Sequence, residues 1–421
     1  MTETPNGSRS RYLIPLMLIV SLFFLWGAAN NLNDVLMKHF KKAFTLSDFQ
    51  TGLVQSAFYF GYFCFAIPAA LFMKRFGYKA AVVLGLVLFG VGALLFVPAA
   101  NMQSYGFFLL ALYVLASGLA FLETSANPLI TVLGDPASAE GRLNFAQSFN
   151  PLGSITGVLI GSSFILSGIE LTPAQTAAMT ETALQSYYAA ETAAVKGPYL
   201  AIGLFVLAWA ALVAFVKFPP AAAARVEGEI ASKGDFRTLI ARPRFLFGVV
   251  AQFFYVGAQV GIWSYLIRYT QAEIPGTPEK WAAQAITISL VLLFLGRFLG
   301  AAMMSRIAPA RLLTAFAAIN VFLCGFGAFG GGEAGLIALI ASSLFMSIMY
   351  PTIFALSIRG LGPLTKAGAS LLVMAIIGGA VITALMGYVS DSSSIAMAML
   401  VPAGCFVAIF AFARTAGTRR A

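Results

Sequence analysis

The chain has 421 residues, 60% hydrophobic and only 10% charged, against roughly 25% charged in soluble domains, which excludes a water-soluble globular protein. Its formal net charge of +10 is scattered in twos and threes rather than gathered on one segment, which argues against a nucleic-acid partner. No Walker loop, nucleotide-binding glycine loop or HExxH helix is present, so neither ATP-driven nor metalloprotease chemistry has a foothold, and no cofactor or metal is expected.

Apolar runs such as Leu13 to Ala29, Ala80 to Ala100 and Gly106 to Leu122 match the roughly 20 residues a helix needs to cross a bilayer. Only helices satisfy every backbone hydrogen bond within one segment. In chain order, helices are expected near residues 12–38, 47–74, 79–99, 105–134, 142–168, 198–217, 245–271, 282–306, 309–330, 334–360, 366–390 and 394–413. The fold class is therefore an all-α membrane protein of twelve transmembrane helices. The first run passes straight into an asparagine cluster, so no cleavable signal is expected.

Between the sixth and seventh helices lies "KFPPAAAARVEGEIASKGDFRTLIARPRF", rich in both charge and proline. It divides the chain into an N-terminal six-helix half (1–217), a linker (218–244) and a C-terminal six-helix half (245–421). A repeat supports the division. "FFLWGAA" at Phe23 aligns with "FFYVGAQ" at Phe253, "MKRFGYK" at Met73 with "MSRIAPAR" at Met304, and "ANPLITVLG" with "MYPTIFALS" through Pro128 and Pro351. Three pairs in one order predict two pseudo-symmetric halves with a substrate site between them near the midplane. Basic residues are concentrated in alternate loops, those of Lys74, Arg142, Arg306, Arg359 and the C-terminal tail among them, which puts these loops and both termini in the cytoplasm. Cys64, Cys324 and Cys405 are isolated in apolar surroundings and read as small buried hydrophobes.

Two carboxylates fall inside predicted spans: Asp34 on the first helix and Glu123 on the fourth. An acid at that depth is costly and is normally turned to the bundle interior or a wet cavity and used. Asp34 lies near the outer end of its helix. Asn31 and Asp34 are three residues apart, and Glu123 and Asn127 four apart, so each pair shares a helix face. On the fifth helix Asn144, Gln147 and Asn150 form a polar stripe, followed by Gly153, Gly157 and Gly161 at the four-residue spacing of close helix packing. The seventh helix carries Gln252, Tyr255, Gln259 and Trp263 at helical spacing. Amides, carboxylates and aromatic rings together suit a sugar, whose hydroxyls donate and accept while its apolar ring faces lie on aromatic side chains. Arg297, inside the eighth span, is expected to pair with helix-end carbonyls or with the other half.

With these stretches, "LFFLWGAANNLND", "DFQTGLVQSAFYFGYF", "LETSANPLITVLG", "RLNFAQSFNPLGS", "GAQVGIWSYLIRY" and "FMSIMYPTIFALSIRGLG", the chain resembles the bacterial L-fucose:proton symporter and related hexose permeases of the major facilitator superfamily. The resemblance runs from about Tyr12 to Arg414. It implies the major facilitator fold and sugar import driven by the proton gradient across the bacterial inner membrane. It also implies that Asp34 and Glu123 carry the proton coupling and that Asn31, Gln147 and Asn150 contact sugar. To these the stripes add Asn127, Tyr255, Gln259 and Trp263 as candidate substrate contacts. "SFNPLG" is a departure, and Pro151 is expected to kink the fifth helix and shift the amide of Asn150.

The expected partners are a small sugar, protons and the lipid bilayer, with the chain working as a monomer by alternating access. Two rivals stand beside this. A drug:proton antiporter of the same fold would need acidic and aromatic groups but few amides, whereas one helix here carries three. A non-transporting sugar sensor, or a membrane enzyme, would need a signalling domain or a nucleophile with its base, and neither pattern occurs.

Overall fold

The computed structural model describes residues 17–29, 48–132, 138–165, 178–218 and 233–417, with single positions at 32, 36, 40, 44 and 175. Asn31 and Asp34 lie outside the described residues. Among the described residues nine helices are long and apolar enough to cross a bilayer. One of these is two helices end to end, because Gly77 takes φ 84° and ψ 172°, a left-handed, non-helical conformation that costs only glycine little. With Met17–Ala29 and the segment 139–164, the helical crossings number twelve.

They are, in order, α1 (Met17–Ala29), α2 (48–76), α3 (78–101), α4 (Tyr105–Val132), α5 (139–164), α6 (Glu181–Phe215), α7 (Pro243–Glu273), α8 (Glu279–Met303), α9 (Pro309–Phe329), α10 (Gly332–Ile358), α11 (Gly362–Ser392) and α12 (Met397–Gly417). A short helix, Lys233–Ile240, precedes α7. Most boundaries fall within a few residues of expectation. The exception is α6, expected from 198 but beginning at Glu181, where Thr180 accepts a hydrogen bond from Ala183 N and caps the helix.

Small residues set how closely the inner helices approach. A Cβ on Gly27 of α1 would strike the backbone carbonyl of Asn150 on α5, and one on Gly153 of α5 the carbonyl of Phe24 on α1. The repeat partner of Gly27, Gly257 of α7, lies against Ile382 and the carbonyl of Gly378, while Gly378 of α11 in turn abuts the carbonyl of Phe253. The same backbone-to-backbone seam therefore builds α1–α5 and α7–α11, which is the pseudo-symmetry of the two halves expressed as packing.

The halves are joined at one end of the bundle. There Arg359, following α10, pairs with Glu140 at the start of α5. Asn144 Nδ2 donates to Thr352 Oγ1 at 3.1 Å, and Lys366 Nζ of α11 donates to the Met73 carbonyl of α2 at 3.2 Å. Glu140, expected in a loop, is instead buried on α5, with only 1% of its side chain exposed.

Candidate functional site: a polar cavity between the halves

Deeper in the bundle than these contacts, the inner helices enclose a cavity of about 220 Å³. Its lining combines polar groups with aromatic rings. Glu123 of α4, Gln147, Asn150 and Ser154 of α5, Gln259 and Ser264 of α7 and Arg297 of α8 supply the polar atoms; Trp26, Phe58, Tyr59, Tyr62, Trp263 and Tyr350 supply the rings. The helical period explains α2, where Phe58, Tyr59 and Tyr62 line the cavity while Phe60 and Phe63 point outward and are exposed. Of the run "FYFGYF", three residues belong to the site, two to the exposed surface, and Gly61 packs against α4.

Glu123 is 3% exposed. The Tyr350 hydroxyl of α10 donates to its Oε1, and the Tyr62 hydroxyl of α2 also lies beside it. One carboxyl is thus flanked by tyrosines from both halves and bonded by that of the opposite one. Arg297 donates from Nη1 to the backbone carbonyl of Gln147 and, at 3.3 Å, to Gln147 Oε1. A carboxyl and a guanidinium from opposite halves therefore face one small polar space.

The structure brings Glu123, Gln147, Asn150, Gln259 and Trp263 into one wall, and leaves two other candidates outside it. Asn127 is fully buried behind Gln147, accepting from Gln147 Nε2 at 2.9 Å. Tyr255 is fully buried behind Tyr350, ring centroids 6.1 Å apart, with its hydroxyl donating to the Met346 carbonyl at 3.1 Å. Sharing a helix face with a cavity residue places a side chain on the right side of the helix. Whether a neighbour then covers it is decided by tertiary packing. Asn127 and Tyr255 are supports for Gln147 and Tyr350. Trp263 is oriented by its indole N–H, which donates to Ser343 Oγ at 3.1 Å, and Asn150 Nδ2 donates to the Phe23 carbonyl at 3.3 Å.

Tyr350 is the residue that sequence reasoning passed over, because tyrosine is at home anywhere in a membrane bundle. The signal for Tyr350 lay in the repeat: aligning Pro128 with Pro351 puts Tyr350 opposite Asn127, next to the site in the other half.

The family model of the Major Facilitator Superfamily matches residues 17–369. The chain is 48% identical to the L-fucose-proton symporter of Escherichia coli (strain K12), over 97% of this chain and 94% of that protein. It is 38% identical to the L-fucose-proton symporter of Haemophilus influenzae, over 95% of each, and 34% identical to a glucose/galactose transporter of Brucella abortus, over 97% of this chain and 95% of that one. The crystal structure of the E. coli fucose:proton symporter in its outward conformation superposes with a TM-score of 0.88 at 47% identity, covering 97% of this chain and all of that one. The proton:xylose symporter, at 15% identity and a TM-score of 0.70 over 96% of both chains, shares the fold. Twelve helices in two like halves, a polar cavity at their junction and matches of this length make the chain a member of the major facilitator superfamily.

Proposed function

We propose that the protein is a proton-coupled symporter that imports L-fucose or a related hexose by alternating access. The observation that carries this reading is the buried Glu123 carboxyl, bonded across the halves by Tyr350 in a cavity that also presents amides, hydroxyls, aromatic rings and the Arg297 guanidinium. Ring faces of a sugar lie against Trp26, Tyr59 and Trp263, while Gln147, Asn150 and Gln259 supply donors and acceptors in the pattern hydroxyls require. Relatives named for L-fucose and for glucose or galactose support a hexose as the cargo.

Proton and sugar are linked through Glu123. The ionised carboxylate only accepts; once protonated it still accepts from Tyr350 and also donates its own hydrogen to a sugar hydroxyl. Protonation thereby improves sugar binding, and by reciprocity bound sugar favours proton uptake. Asp34 is assigned a second coupling role in series, and Asn31 a sugar contact. The halves 1–217 and 245–421, joined by the linker 218–244, rock about the cavity, opening it to one face at a time. The protein works as a monomer in the bacterial inner membrane with both termini in the cytoplasm, without a nucleic-acid partner.

The test is uptake of a labelled hexose panel into proteoliposomes after a pH jump. Accumulation of one hexose against its gradient by the parent, lost in Glu123→Gln while sugar exchange persists, is the expected result. Full accumulation by Glu123→Gln refutes the coupling role, and dye efflux without sugar uptake refutes the symporter reading.

A further inference from the structure

Pro151 stands four residues after Gln147 on α5. A proline has no N–H to give the carbonyl four residues back, and its ring crowds that carbonyl. The ladder of α5 is interrupted accordingly, with one segment ending at Gln147, Ser148 between, and the next starting at Phe149. The carbonyl so released is the one that Arg297 of the opposite half takes. A guanidinium buried in a helical bundle needs acceptors, and in an intact helix each backbone carbonyl is already shared with the N–H four residues on. Here α5 supplies one because of a single proline.

Part of the guanidinium remains available. Arg297 is 5% exposed, lines the cavity beside Glu123 and Asn150, and its Nε finds no acceptor among the described residues. An arginine offers only donors, in a fixed planar fork. With Nη1 fixed on α5 and Nε sealed from the cavity, the planar fork is held in one orientation at the wall, and Nη2, which makes no hydrogen bond among the described residues, is the donor left for an oxygen in the cavity.

We propose that Pro151 is a positioning residue for sugar binding: by releasing the Gln147 carbonyl it fixes Arg297 across the halves, so that the guanidinium donates to a hydroxyl or ring oxygen of the hexose. This rests on the reading of the cavity as a sugar site. An alanine at 151 returns an N–H to the Gln147 carbonyl, and that internal bond competes with Arg297. Restoring the helix therefore strengthens α5 and loosens the arginine, two effects of opposite sign. A purely structural proline would move stability and binding together.

The experiment uses the purified full chain in four forms, parent, Pro151→Ala, Arg297→Gln and the double variant, with L-fucose and D-galactose titrations and thermal unfolding. Pro151→Ala is expected to unfold at or above the parental temperature yet bind sugar about ten-fold more weakly, the scale of one hydrogen bond from a charged donor. Arg297→Gln is expected to weaken binding at least as much, and the double variant to match Arg297→Gln within about two-fold, since both act through one contact. Parental affinity in Pro151→Ala, or losses that multiply in the double variant, overturns the proposal. If Pro151→Ala does not fold, Pro151→Gly returns the same N–H without a Cβ and takes its place. A parent that binds neither sugar overturns the hexose reading alone. The unfolding temperatures then decide: Arg297→Gln is expected to lower that of the parent and not that of Pro151→Ala, and equal lowering in both backgrounds overturns the role of Pro151.

Discussion

Tyr350 donates its hydroxyl hydrogen to Glu123, joining α10 of one half to α4 of the other at the wall of the cavity. The bond makes the acidic group of one half sensitive to the position of the other, so a movement that parts the halves also changes the company of the carboxyl. Tyr350→Phe keeps the ring, its packing against Tyr255 and the volume, and removes only the donor. A hydrogen bond to a charged group contributes about 1.5–3 kcal/mol, so the rate of pH-driven sugar uptake should fall roughly ten- to hundred-fold while the unfolding temperature drops by a few degrees and the protein stays folded. Uptake at the parental rate under the same pH jump would remove this bond from the mechanism.

The placement of Asn127 behind Gln147 makes an ordering that binding measurements can check. Gln147 faces the cavity, and Asn127 touches it only through the 2.9 Å bond from Gln147 Nε2. Gln147→Ala and Asn150→Ala should each weaken hexose binding by about ten-fold, the range of one or two lost hydrogen bonds. Asn127→Ala should do less, and Asn127→Ala combined with Gln147→Ala should bind no worse than Gln147→Ala alone. Independent losses in that double variant would put Asn127 in direct contact with sugar.

The contrast between Glu123 and Glu140 shows what could be read from residues in order. Twelve apolar runs and two repeated halves are properties of the chain's composition along its length, and the fold follows from them. Glu123 stood out because an ionisable group in the middle of a span has so few reasons to be there. Gln147 and Asn150 followed from spacing on α5. Glu140 did not, since it stands two residues before the expected start of the fifth helix at 142, and its burial involves Arg359, 219 positions away. Asn127 and Tyr255 were placed on the correct helix faces, and only the packing of Gln147 and Tyr350 over them reveals that they support the wall. Spacing fixes direction from a helix axis. What lies in that direction is a property of the other half.

The pair formed by Glu140 and Arg359 gives a prediction about which face the cavity opens to. Glu140 is 1% exposed and Arg359 55% exposed at the mouth joined by Asn144 and Thr352. Arg142, one turn on from Ser138, is directed elsewhere, to the carbonyls of Thr131 at 3.0 Å and Ile130 at 3.4 Å and to Ser138 Oγ. Arg359→Gln should therefore open this mouth without unfolding the core. Spin labels on cysteines placed at the exposed Arg75 and Pro363, in a background without the native cysteines, would read the separation of α2 from α11. We expect the open-to-closed ratio to rise roughly two- to five-fold, the scale of a partly exposed ion pair, and the charge swap Glu140→Arg with Arg359→Glu to restore it. An unchanged distance distribution in Arg359→Gln would leave the pair without a role in closure.

Gly153 and Gly404 make a matched test of the seam that holds the site. A Cβ on Gly153 would meet the Phe24 carbonyl, with its carbon at 2.8 Å and Ala28 N at 3.0 Å, whereas one on Gly404 would meet nothing within 4 Å. The obstacle at Gly153 is backbone, which has no rotamer to change, so Gly153→Ala forces α1 and α5 apart at a cost of about 1–3 kcal/mol. Gly404→Ala should be neutral or gain up to about 1 kcal/mol from the better helix former. Thermal unfolding of the two single variants should therefore shift in opposite directions or leave Gly404→Ala unmoved. Because Trp26 stands on α1 and Asn150 on α5 at the cavity wall, Gly153→Ala should also weaken hexose binding. Equal unfolding temperatures for the two variants would mean that α1 and α5 do not depend on this contact.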